Sequence, residues 1–227
     1  MASAPRDRIH LARLPTPVQR LERLSDRLGV DLRVKRDDLT GFGVSGNKIR
    51  KLEFLVADAL REGADTLVTC GGAGSNHCRA TAVVAARLGL GCLLLLRTED
   101  GTPPPEPWTG NLLVSRLVGA QTQFVTSERY RDPEEMFGAA MERLRALGNA
   151  PYAIPEGGSN RLGSAGYANA YREILDDWSD AEVVVSAMGS GGTAAGLVLG
   201  RREACGGPLP VAINVCDDER YFRRRVA

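Results

Sequence analysis

Residues 66–96 read "TLVTCGGAGSNHCRATAVVAARLGLGCLLLL". "TLVTC" (66–70) is a short, near-continuous apolar run of the kind that forms a buried strand, and "GGAGSN" breaks it. Apolar residues then recur at helical spacing from about Asn76 to Leu88, Gly89 ends the helix, and "CLLLL" (92–96) is a second buried strand. A buried strand, a glycine-rich loop, a helix and another buried strand make a parallel β-α-β unit.

The rhythm continues in both directions. A helix is expected near 111–118, a strand at 122–125 ("TQFV"), a helix near 133–147 and a strand at 152–154 ("YAI"), with "TEDGTPPPEPWTG" (98–110) as a surface loop. A longer helix follows "PEGGSNRLG" and ends near Trp178. "EVVVSAM" (182–188) is a strand, "GSGGT" (189–193) a turn, Ala194 to about Glu203 a helix and "VAINV" (211–215) the last strand. The class is α/β with an open parallel sheet. At the end, "CDDERYFRRRVA" opens a helix with Asp217 as N-cap, and the text stops before an apolar face is built.

The totals bound the function. The 227 residues are 43% hydrophobic and 25% charged, with a formal net charge of +1. That balance gives no reason to expect a nucleic-acid or membrane partner, and no apolar run reaches the length of a membrane span. The first ten residues lack the apolar core of a secretion signal, and five cysteines without a CxxC pair fit free thiols in the cytoplasm. Two histidines, His10 and His77, lie too far apart in sequence to suggest a metal site.

Three glycine-flanked stretches stand where a parallel sheet places ligands. In "GSGGT", glycines let the backbone curl its N–H groups inward, and Ser190 and Thr193 add hydroxyls, so the turn suits a phosphate as well as it suits a tight strand–helix connection. In "GGAGSNHCR", Ser75 and Asn76 open a helix and suit a carboxylate, although an N-cap is the commoner task for such a serine. The third is "GVSGNKIRKLEFLVADALREG" (43–63), with Asn47 as an apparent N-cap. Lys48, Arg50 and Lys51 crowd the first turn, against the helix dipole. A lysine so placed loses its proton more readily and becomes a nucleophile. One ligand uses all three features: pyridoxal 5′-phosphate, an aldehyde for the lysine and a phosphate for the cup, accepting a small amino acid through its carboxylate.

"LPTPVQRLERLSDRLGVDLRVKRDDLTGFGVSGNKIRKLEFL", "GSNHCRATAVVAARLGL", "YAIPEGGSNRLGSAGYANA" and "SAMGSGGTAAG" occur here in order. Together they resemble the D-cysteine desulfhydrase and 1-aminocyclopropane-1-carboxylate deaminase family, pyridoxal-phosphate enzymes of the tryptophan synthase β-like fold (fold type II). The resemblance implies that Lys48 is the imine lysine, that Lys51 reaches toward the phosphate and that Ser75 is the nucleophile or proton-relay residue. It implies that Asn76 contacts the cofactor ring oxygen and that Asn47, Ser190, Gly191, Gly192 and Thr193 also hold the cofactor. Ser75, Asn76, His77 and Gly158 are then expected on the substrate side. It implies a smaller domain over 46–156, inserted into a larger one made from 1–45 and 157–227, and a homodimer. Family members run on for roughly a hundred further residues, so the larger domain is expected to be incomplete here, without the partner of the pyridine nitrogen. Desulfhydrase, deaminase and an inactive cofactor-binding remnant are the three readings; a Rossmann nucleotide module leaves the lysine turn unexplained.

Overall fold

The computed structural model describes residues 7–41, 43, 45–216 and 218–226. Its centre is a four-stranded parallel sheet in the order β5-β4-β3-β6, built from β3 (Thr66–Gly72), β4 (Gly91–Arg97), β5 (Gln121–Val125) and β6 (Pro151–Ile154). Side chains alternate across a strand, so neighbouring apolar residues serve opposite faces. Leu67, Cys92, Leu94, Leu96 and Ile154 pack against α2 (Lys48–Arg61), α3 (Asn76–Arg87) and α4 (Gly110–Leu117). Val68, Cys70, Leu93, Leu95 and Val125 pack on the other face against α5 (Pro133–Ala146). The connections run from β3 outward to β5 and then return through α5 to β6 on the far side of β3. The order therefore reverses between β3 and β6, and the crevice beyond their carboxyl ends is where such sheets receive ligands.

A second parallel pair joins β7 (Val183–Met188) to β8 (Leu209–Asn214), flanked by α6 (Arg161–Asp177) and α7 (Gly192–Glu203). Their apolar runs read as buried strands, but β7 alternates, with Val185 62% and Ile213 of β8 53% exposed. Among the described residues this sheet is packed on one face only. The helix expected from Ala194 begins two residues earlier, at Gly192, and the last strand is displaced to Leu209–Asn214. The final helix, α8, runs Glu219–Val226. Asp217, expected as its N-cap, lies outside the described residues, while the Asp218 carboxylate accepts the Tyr221 amide at 2.7 Å.

Near the amino terminus a small antiparallel pair, β1 (Val18–Arg20) with β2 (Arg33–Lys35), encloses α1 (Glu22–Leu28). The turn after it (Asp37–Leu39) is tied to the start of α2, where the Gly46 amide donates to the Asp37 carbonyl at 2.9 Å. Helix α2 lies directly on α6. A Cβ at Gly166 would fall 2.2 Å from the Arg50 carbonyl oxygen, so only glycine permits that approach. The contact is closed by charge: Arg50, 1% exposed, donates to Asp37 and to Glu173 of α6, both at 2.8 Å, and to Thr16 at 2.9 Å.

Candidate active site

The three glycine-flanked stretches converge beside the β3–β6 crevice, joined by a fourth that follows β6. Lys51 is 1% exposed, and its Nζ donates to the Gly157 carbonyl at 3.1 Å and to Ser159 Oγ at 3.2 Å. Ser159 is a junction: its hydroxyl also accepts the Gly192 amide at 3.2 Å and donates to Ser190 Oγ at 2.8 Å. Gly191 has φ +88°, which turns the chain into α7. A Cβ on Gly192 would lie 2.6 Å from Ser159 Oγ and 2.8 Å from Lys51 Nζ, so the amine sits against the opening turn of that helix. The Asn47 amide donates to Thr193 Oγ1 at 3.2 Å, tying the start of α2 to the same turn.

That last bond corrects one expectation. Asn47 has helical backbone angles and makes no capping hydrogen bond; its side chain goes to Thr193 instead. The origin of the lysine perturbation also differs from the crowding argument. Arg50 is neutralised by Asp37 and Glu173 and faces away from the problem. Burial lowers the Lys48 pKa, with the Glu156 carboxylate partly opposing it. Burial holds Lys51 well below the ordinary lysine value, and the charge of Lys48 adds to the effect. Neither hydrogen-bond partner of Lys51 carries charge, and among the described residues no carboxylate pairs with it. A buried amine at a helix N-terminus, with no counter-ion, is a receptive place for an anion.

Ser75 occupies its N-cap position, accepting the Cys78 amide at 3.2 Å. His77, in the first turn of α3, is buried, and its Cε1 lies 3.5 Å from where a Cβ on Gly158 would stand, beside Lys51 Cβ at 3.4 Å. Lys51, His77, Gly158, Ser190, Gly192 and Thr193 are thus brought together. Asn76 is not: it is exposed, and its side-chain Oδ1 accepts from the Asn111 side-chain amide of α4 at 2.9 Å. Arg79 of α3 holds the loop before α2, donating to the carbonyls of Gly43 and, at 3.0 Å, Ser45. Sequence reasoning missed Ser159 and Glu156. Both lie in "PEGGSN", a glycine pair just past a strand end, which is the same signal that marked the other loops.

Two amines of lowered pKa, a glycine turn at a helix start and a row of hydroxyls form a donor set that suits a phosphate-bearing aldehyde. Among the described residues no cluster of His, Cys, Asp or Glu is placed to hold a metal ion. A family model described as "Pyridoxal-phosphate dependent enzyme" matches residues 9–224. The chain is 46% identical over 222 residues to the mitochondrial bifunctional D-cysteine desulfhydrase/1-aminocyclopropane-1-carboxylate deaminase of Arabidopsis thaliana, covering 93% of this chain and 55% of that protein. It is 46% identical over 201 residues to the D-cysteine desulfhydrase of Serratia proteamaculans, covering 86% and 60%. A crystal structure titled as an ACC deaminase homologue superimposes with a TM-score of 0.77 at 35% identity, over 97% of this chain and 67% of the other. The chain spans somewhat more than half the length of these curated relatives.

Proposed function

Because this chain belongs to the family of pyridoxal-phosphate dependent enzymes, we propose that it binds pyridoxal 5′-phosphate and acts on a small amino acid as a lyase or deaminase. The first substrate is D-cysteine, taken to pyruvate, sulfide and ammonia. The observation that carries this reading is Lys51, an amine buried without a counter-ion against the first turn of α7. When bound, the cofactor serves as the electron sink for the substrate's α-carbon.

The residues divide the work by position. Lys48 holds the cofactor aldehyde: burial lowers the pKa of both amines, further for Lys51, but Lys51 is committed to Gly157 and Ser159, which leaves Lys48 as the nucleophile. Lys51, Ser190, Gly191, Gly192 and Thr193 receive the phosphate, and Asn47 keeps Thr193 in place. Ser75, at the mouth of the crevice, holds or moves a proton at its Oγ. Asn76, His77 and Gly158 are the proposed substrate side; Asn76 must leave Asn111 to contact substrate or the cofactor ring. Residues 46–156, which contain the whole four-stranded sheet, are read as the smaller unit, and 1–45 with 157–227 as the larger. Among the described residues no disulfide joins the cysteines at 70, 78, 92, 205 and 216, which supports a reducing cytoplasmic setting, and the assembly is proposed as a homodimer.

Activity on 1-aminocyclopropane-1-carboxylate is the second reading, favoured by the double name of the Arabidopsis relative. The test is to add pyridoxal 5′-phosphate to the purified protein, record visible absorption and assay both substrates. A visible band with sulfide and pyruvate from D-cysteine is the expected result. Ammonia from the cyclopropane substrate alone moves the assignment to the deaminase. A protein that takes up no cofactor is the inactive remnant, and the functional reading fails.

A further inference from the structure

We propose that Ser159 is a positioning residue for the phosphate cup: its hydroxyl holds the Lys51 amine against the first turn of α7 and leaves the Ser190 proton to a ligand. The stretch "PEGGSN" (155–160) shows why this serine is fixed in place. Gly157 and Gly158 follow β6 with φ of +65° and +61°, a left-handed turn that glycine adopts without strain. Asn160 then caps α6, its Oδ1 accepting the Gly163 amide at 2.8 Å. A Cβ on Gly163 would lie 2.1 Å from the Gly158 carbonyl oxygen, so the turn is packed against the helix it precedes. Ser159 stands between the two.

A serine hydroxyl has one proton and two lone pairs. An amide N–H only donates, and so does a lysine ammonium, the form that a nearby anion favours. Ser159 Oγ is 3.2 Å from the Gly192 amide nitrogen and 3.2 Å from Lys51 Nζ. With Lys51 charged, these two donors take both lone pairs. The Ser159 proton is left for Ser190 Oγ at 2.8 Å, the Gly157 carbonyl being farther away at 3.5 Å. Ser190 Oγ accepts at that contact and has no other hydrogen-bond partner among the described residues, so its own proton stays available. Lys51 directs one proton to Gly157 and one to Ser159, and its third remains. Holding Gly192 also fixes the start of α7, whose next amides have no partner within the helix. Ser159 itself has nothing left to offer a ligand; it acts through Lys51, Ser190 and the opening of α7. The donors it leaves suit a phosphate. That the phosphate belongs to pyridoxal 5′-phosphate rests on the functional reading above; the cup does not.

The probes are inorganic phosphate, pyridoxal 5′-phosphate and pyridoxal, each titrated into purified wild type and variants. Ser159→Ala removes the hydroxyl, and Ser159→Cys keeps its shape with a weak acceptor. Both are expected to weaken the two phosphate-bearing probes by on the order of tenfold and to leave pyridoxal within about twofold. A general loss of structure would weaken all three alike. In a Lys51→Ala background Ser159→Ala is expected to cost only about threefold more, because the two residues share one contact. Equal losses for pyridoxal and its phosphate, wild-type phosphate affinity in Ser159→Ala and Ser159→Cys, or a full additional tenfold on Lys51→Ala overturns the proposal. Wild type that binds inorganic phosphate but not the cofactor strikes the functional reading alone, and the phosphate titrations still decide the role of Ser159. Wild type that binds neither overturns both.

Discussion

Gly166→Ala is expected to destabilise the protein by about 3 kcal/mol or more, a large part of the roughly 5–15 kcal/mol that holds a domain folded. The added methyl would meet the Arg50 carbonyl oxygen at 2.2 Å, its carbon at 2.5 Å and the Lys51 amide at 3.0 Å. These are backbone atoms of a helix and cannot rotate aside. Relief requires α2 and α6 to separate, and separation draws Arg50 away from Glu173 while both are shielded from water. Gly138 on α5 is the control. A Cβ there meets nothing within 4 Å, so Gly138→Ala is expected to be neutral or to stabilise by up to about 1 kcal/mol. Urea melts of both variants give the comparison; equal midpoints would show that the α2–α6 contact yields freely.

Lys48→Ala is expected to lower turnover of D-cysteine by about a thousandfold or more and to leave pyridoxal 5′-phosphate removable by dialysis. Lys48→Arg should do the same, because a guanidinium remains protonated and cannot attack an aldehyde. Lys51→Ala should behave differently. It removes the amine set between Gly157, Ser159 and Gly192, so it weakens retention of the phosphate while the attachment at Lys48 still forms. Equilibrium dialysis and steady-state rates separate the two. Wild-type turnover in Lys48→Ala would remove that residue from the chemistry.

Strands β3 and β4 were legible because apolar runs buried on both faces leave a continuous signal, and glycines break it between them. The pair Val18–Arg20 with Arg33–Lys35 was not read: three-residue strands of mixed polarity carry no periodicity. Asn47 looked like a cap because local spacing cannot see Thr193, 146 positions away. The cations of the first helical turn were visible, but their division of labour was not. Arg50 serves Asp37 and Glu173, and Lys51 faces Ser159, through contacts with segments far from α2 in sequence. The apolar face of β7 and β8 read as buried because its residues are Val, Leu and Ile; composition does not say what lies above a strand.

The claim on which the functional account rests is that Lys48 carries the cofactor. Borohydride reduction of the protein with pyridoxal 5′-phosphate, followed by peptide mass mapping, tests it without any assumption about substrate. The account predicts the pyridoxyl mass on the peptide containing Lys48 and localised to that residue. Lys35 is held in ion pairs with Asp177 at 2.6 Å and Glu173 at 3.1 Å, and Lys51 is bonded to Gly157 and Ser159, so neither should be labelled. Label on Lys51 or Lys35, with Lys48 unmodified, would contradict it.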